Sequence, residues 1–172
     1  MSTRGRGRPS EIVSSVIFVC GVLTFASAGM RAQSLQVLPS VTSQKSSGSF
    51  RIQWTAAAAK PVLALQWNLR FPEGIQILPD DIAVGSAAES AEKSLYCSRV
   101  PRKTPGSMDE SYVCIVAGGQ KPISDGAVAV VLYSIRKGTA KGAFLVHIEK
   151  VLGVGVDTQV LIADAESTIT IK

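Results

Sequence analysis

The chain has 172 residues, with 18 Lys+Arg, 13 Asp+Glu and a net charge of +5. Much of that excess lies at the N-terminus: residues 1–32 hold four arginines and one glutamate, and the remainder carries 14 basic and 12 acidic residues, a net +2. The basic balance therefore gives no case for a nucleic-acid partner.

Arg4, Arg6 and Arg8 precede an apolar run over 12–28 that ends in Ala26-Ser27-Ala28. This pattern predicts a Sec-type signal peptide over 1–32, cut after Ala28 or after Ala32. An uncleaved anchor is the alternative, but the run is slightly short for a span and contains Ser14, Ser15 and Thr24. Cys20 follows bulky Phe18 and Val19, unlike a lipoprotein cysteine. The expected location is secreted, periplasmic or cell-surface. Residues 33–172, about 140 in number, suit one domain with a real core.

From residue 49 onward the chain punctuates as strands. SFRIQW (49–54) alternates, with Phe50, Ile52 and Trp54 on one face. LALQWNLRF (63–71) alternates more clearly: Leu63, Leu65, Trp67, Leu69 and Phe71 face one way, and Gln66, Asn68 and Arg70 the other. Pro72-Glu73-Gly74 turns the chain into the short run 74–79. Residues 80–93 read as a short helix or a crossing loop. SLYCSRV (94–100) and SYVCIVA (111–117) are two strands around a basic, proline-bearing insert. AVAVVLYSI (127–135) is apolar on both faces, as in a central strand. AFLVHIEKVLGVGV (143–156) is extended, with Gly153 and Gly155 marking a bend or bulge. QVLIA (159–163) and STITI (167–171) close the chain. No segment holds a helical period. The expected fold is an all-β jelly-roll sandwich of about nine strands.

Beyond residue 32 the only cysteines are Cys97 and Cys114. In an exported chain such a pair predicts one disulfide. If the two flanking strands lie antiparallel, the cysteines oppose each other across the ladder. The bond then either staples a hairpin or presents the loop Arg99–Glu110. Two cysteines and the distant His147 do not make a four-ligand metal set.

The stretch LALQWNLRFPEGIQI (63–77), the block PISDGAVAVVLYSIRKGTAKGAFLVHI (122–148) and the ending VGVDTQVLIADAESTITI (154–171) resemble the bacterial cohesin domain family. That family belongs to the carbohydrate-binding-domain superfamily, and the resemblance covers about residues 35–171. It implies a nine-stranded jelly roll and a non-enzymatic role, gripping dockerin modules of polysaccharide-degrading enzymes through one sandwich face. The turn Phe71-Pro72-Glu73 and the cysteine pair depart from the usual family pattern.

Catalysis finds little support. The single histidine, His147, lies between Val146 and Ile148, and Asp80 and Asp81 are adjacent, so on a strand they point to opposite faces. No cofactor is expected, although Asp80, Asp81, Asp125, Asp157 and Asp164 lie in or near turns where oxygens could converge on calcium. The candidate protein-binding surface is Gln66, Asn68 and Arg70, together with Arg99, Arg102 and Lys103 of the loop. Tyr96 and Tyr112 form a candidate two-tyrosine platform for direct carbohydrate binding. Trp54 and Trp67 share faces with apolar residues and are read as core. The expected partner is a dockerin-like or envelope protein, or a polysaccharide. The rivals to an adaptor are a carbohydrate-binding module and a structural part of an envelope or pilus-type assembly.

Overall fold

The computed structural model describes residues 32–42, 47–57, 60–101 and 110–172. The signal-peptide reading of residues 1–32, and with it the choice of cleavage site, lies outside them save for Ala32, as do Arg102 and Lys103. The strands are β1 (Ser34–Val37), β2 (Ser40–Thr42), β3 (Ser47–Thr55), β4 (Ala64–Phe71), β5 (Ile75–Gln76) and β6 (Ile82–Val84). They continue as β7 (Ser94–Arg99), β8 (Glu110–Ala117), β9 (Gly126–Ile135), β10 (Gly142–Val154), β11 (Gln159–Ile162) and β12 (Ala165–Ile171). A 3-10 turn (Pro79–Asp81) and a short helix α1 (Ser86–Ser90) sit between β5 and β7.

The strands form two sheets. One has the order β1-β3-β9-β5, with β6 also on β9. The other has the order β2-β12-β10-β4-β8-β7, with β11 also on β10. The all-β sandwich is as expected. The N-terminal strands, however, went unread, and they divide between the sheets: β1 runs antiparallel to β3, and β2 runs parallel to β12. Pro39 lies between them and has no N–H to extend β1.

Alternation drives the packing. Leu65, Trp67, Leu69 and Phe71 of β4 are fully buried, while the residues between them are only partly covered. Phe50, Ile52 and Trp54 of β3 meet them from the other sheet within one apolar cluster. A chain of rings crosses the core, Tyr133–Phe50–Phe71–Tyr112, with centroids 6.0, 5.9 and 6.3 Å apart. Each buried side chain of this size stabilises the sandwich by roughly 1.5–3 kcal/mol.

One irregularity governs the functional face. The β4–β10 register shifts between Glu149 and Leu152, and Lys150 there has φ 54°. Its N–H donates to Asp164 Oδ1 at 2.7 Å. This bulge inverts the side-chain alternation of β10. Val151 is buried and Leu152 turns outward. It also separates two pairings: β12 takes residues 142–148 of β10, and β11 takes residues 151–154.

Candidate protein-binding face

The outer face of the larger sheet carries side chains in rows across the strands. Leu161 of β11 opposes Leu152, Leu152 opposes Gln66, Gln66 opposes Ile115, and Ile115 opposes Tyr96 of β7. Five strands at the usual spacing make this row about 19 Å long. Leu161 is 84% exposed and Tyr96 70% exposed. The next row toward one end is Gln159, Val154, Ala64, Ala117 and Ser94, related by neighbouring pairs of the same ladders. Neither row holds a charged residue. Together they make a shelf, apolar and small, with Gln66 as its central hydrogen-bonding group.

Charge begins beyond the shelf. Glu149, Asn68, Val113 and Ser98 form the following row. Arg70 reaches Glu149 Oε1 with Nη2 at 2.7 Å. His147 opposes Arg70 and Glu166, and its Nδ1 lies 2.8 Å from Glu166 Oε1. The face is thus divided into an uncharged end and an end that carries Arg70, Glu149 and Glu166.

The expectations for Gln66, Asn68, Arg70, Tyr96 and Arg99 meet this geometry unequally. Gln66, Asn68 and Arg70 do share the outward face of β4. Tyr96 joins Gln66 in the shelf row. Arg99 sits apart, at the far end of β7.

Tyr112 requires a correction: it is fully buried and belongs to no surface. On β8 the inward set is Glu110, Tyr112, Cys114 and Val116, so Tyr96 and Tyr112 point to opposite faces. The Tyr112 hydroxyl donates to the Ile77 carbonyl, with Glu110 Oε2 3.2 Å away as a second acceptor. Burial, reinforced by the Glu110 carboxylate, raises its pKa to about 12. A two-tyrosine sugar platform therefore does not form.

Glu110, only 4% exposed, stands at the neck of the Arg99–Glu110 loop. Its Oε1 accepts from Arg99 Nη2 at 3.1 Å and from Arg136 Nη2 at 2.5 Å. Arg99 is therefore half of a neck clamp. The Cys97–Cys114 disulfide is formed, with the Cα atoms 4.1 Å apart. It joins residues directly opposed in the β7–β8 ladder.

Three of the five aspartates considered for calcium accept main-chain hydrogen bonds. Asp125 Oδ1 accepts from the Ala56 N–H at 2.6 Å, Asp164 from Lys150, and Asp81 Oδ2 from Leu78 at 3.1 Å. No group of three His, Cys, Asp or Glu among the described residues is placed to hold a metal ion. A depression of about 390 Å³ lies between the turns at Glu73-Gly74 and Arg136–Ala140, away from the shelf. No helix among the described residues is long and apolar enough to cross a membrane.

Solved structures resemble this arrangement. A non-cellulosomal cohesin from the hyperthermophilic archaeon Archaeoglobus fulgidus superposes with TM-score 0.63 at 12% identity, covering 83% of this chain and 92% of that one. The chain has the cohesin fold. A chain of the Coh-OlpA–Doc918 type I cohesin–dockerin complex from Clostridium thermocellum gives TM-score 0.66 at 11% identity, covering 83% of this chain and all of that one. The cohesin module of a Clostridium perfringens family 33 glycoside hydrolase gives 0.57 at 9%, with 82% and 98% covered. No protein-family model and no curated protein sequence matches the chain. The cohesin fold is thus carried here by a sequence only 9–12% identical to these neighbours.

The sequence missed Ile115, Leu152 and Leu161 as surface residues. For Ile115 a signal existed: β8 is apolar at both parities, so one apolar set had to face out or meet another layer. For Leu152 the signal was hidden by the bulge.

Proposed function

We propose that this cohesin-like domain is a non-catalytic, exported binding module that docks a dockerin-type protein on the shelf of β11, β10, β4, β8 and β7. The observation that carries this reading is the uncharged row Leu161–Leu152–Gln66–Ile115–Tyr96. Exposed apolar groups in a contiguous patch mark interaction surfaces, and a large aromatic at such a site is a typical anchor. A partner module with an apolar stripe would bury this row, and the amide of Gln66 would fix its register. The cohesin–dockerin complexes among the structural neighbours support a dockerin-type partner. Export is supported by the arginine-led apolar N-terminus and its Ala-x-Ala pattern. A link to polysaccharide breakdown is part of the proposal and is supported by the glycoside hydrolase cohesin module among the structural neighbours.

The test is capture by the immobilised, oxidised protein of dockerin modules and of envelope and supernatant proteins from its own source, beside retention on insoluble polysaccharides. The expected result is a saturable protein partner that Ile115→Asp abolishes and Arg136→Ala leaves bound. Retention on polysaccharide alone, or a partner indifferent to Ile115→Asp, overturns the reading.

A further inference from the structure

The strand β7 ends its sheet, and among the described residues no strand pairs with its far side, although β6 and the 3-10 turn lie near it. It differs from the other edge strands. β1, β2, β5, β6 and β11 have 4, 3, 2, 3 and 4 residues, whereas β7 has 6. Short edges, prolines, lysines and bulges are the usual protection against edge-to-edge pairing. β7 contains no proline or lysine, and its register with β8 is uninterrupted.

Its free groups can be assigned. Val100 N–H donates to Ser111 O at 2.8 Å. Hydrogen-bonded and non-bonded pairs alternate along an antiparallel ladder. Ser98, Tyr96 and Ser94 therefore bond to β8, and Leu95, Cys97 and Arg99 turn their N–H and C=O groups outward. The 4.1 Å Cα separation at Cys97–Cys114 agrees with a non-bonded pair. This outward ladder is bounded at both ends. The Lys93 N–H is already given to Ala88 O, and Pro101 has no N–H. Three residues remain, centred on Cys97.

We propose that β7 pairs with β7 of a second copy of this chain, antiparallel about a two-fold axis through Cys97. Leu95 then opposes Arg99 of the second copy, Cys97 opposes its own equivalent, and about six main-chain hydrogen bonds form. Bulky Tyr96 opposes small Ser98 on the outer face. No like charges meet: the one charged residue of β7, Arg99, is already paired with Glu110 in each copy. The edge is also fixed before pairing. The disulfide holds its centre, Lys93 Nζ holds its start through the Gly118 and Gly119 carbonyls at 2.5 and 3.0 Å, and Arg99–Glu110 holds its end. A preorganised edge loses little entropy on pairing. The cysteine pair thus fastens the strand on which the axis falls. This pairing is independent of the docking reading and places two shelves side by side.

Sedimentation of the protein exported from a host expressing the full chain tests it. The mass should rise from monomer toward dimer across the micromolar to millimolar range. Tyr96→Lys with Ser98→Lys, and Tyr96→Glu with Ser98→Glu, should each stay monomeric, because like charges then meet across the axis. Mixing the two variants should restore the dimer, which also shows that both are folded. A monomer up to millimolar concentration overturns the proposal. So does a dimer that both variants retain, or a dimer that mixing fails to restore. In the monomeric case an extended segment of another protein becomes the candidate for the edge.

Discussion

Tyr112 donates its hydroxyl to the main-chain carbonyl of Ile77, fastening β8 to the segment that follows β5 across the interior of the sandwich. Both residues are buried, so no water stands ready to replace the bond. Tyr112→Phe leaves the Ile77 carbonyl without its donor and should cost about 1–3 kcal/mol of stability by denaturant titration. The pH dependence has a definite sign. A folded-state pKa of about 12 lies above the ordinary value of 10. Between these values the unfolded chain loses a proton that the folded chain keeps, so stability falls as pH rises from about 10 to 12. Tyr112→Phe should flatten that part of the profile.

The disulfide fastens the middle of the β7–β8 hairpin, and the neck clamp fastens its loop end. Replacing Cys97 and Cys114 by alanine should lower stability by about 3 kcal/mol, as expected for a short loop in the chain-entropy model. Hydrogen exchange should then speed most in β7. An unchanged rate there would show that ladder bonds alone secure the edge.

Glu110 is a buried carboxylate shared by two guanidinium groups. Glu110→Gln leaves Arg99 and Arg136 without their anion but in reach of water, and should destabilise the fold by about 1 kcal/mol. Arg99→Ala should cost less, because Arg136 still pairs the carboxylate and Arg99 is half exposed.

The two tryptophans should respond differently to the same replacement. Trp54 Nε1 donates to the Ile123 carbonyl at 3.2 Å, whereas Trp67 Nε1 has no hydrogen-bond partner among the described residues. Both replacements by phenylalanine open a cavity, but only Trp54→Phe also orphans an acceptor. Trp67→Phe should be the milder by about 1 kcal/mol in thermal or denaturant unfolding. Equal losses would mean that cavity cost dominates at both sites.

How far the sequence could be read follows from the same physics. β4 was legible from Leu65 to Phe71 because one of its faces is core and the other is not, so period two appears undiluted; Leu63, read as inward, precedes the strand and is only partly buried. β1, β2 and β6 were invisible because three or four residues carry no period; their neighbours hold them extended. The face of Tyr112 was not legible because β8 is apolar at both parities. Counting alternation onward from His147 would turn Val151 outward, whereas the bulge at Lys150 buries it and exposes Leu152. The shelf is assembled by register across five strands, and register between distant segments is not written in any one of them.

Salt should distinguish the two ends of the outer face in binding. The shelf has no charge, whereas beyond it Arg70 pairs with Glu149 and Glu166 lies against the His147 imidazole. A complex formed on the shelf buries apolar area, which screening does not weaken, so its affinity should change by less than about twofold between low and high salt. Ile115→Ala and Tyr96→Ala should each weaken it at least about tenfold while changing stability by no more than about 0.5 kcal/mol. Arg70→Ala should leave affinity nearly unchanged. A steep salt dependence, with Arg70→Ala the damaging variant, would move the contact to the charged rows and place Asn68 rather than Gln66 at its centre.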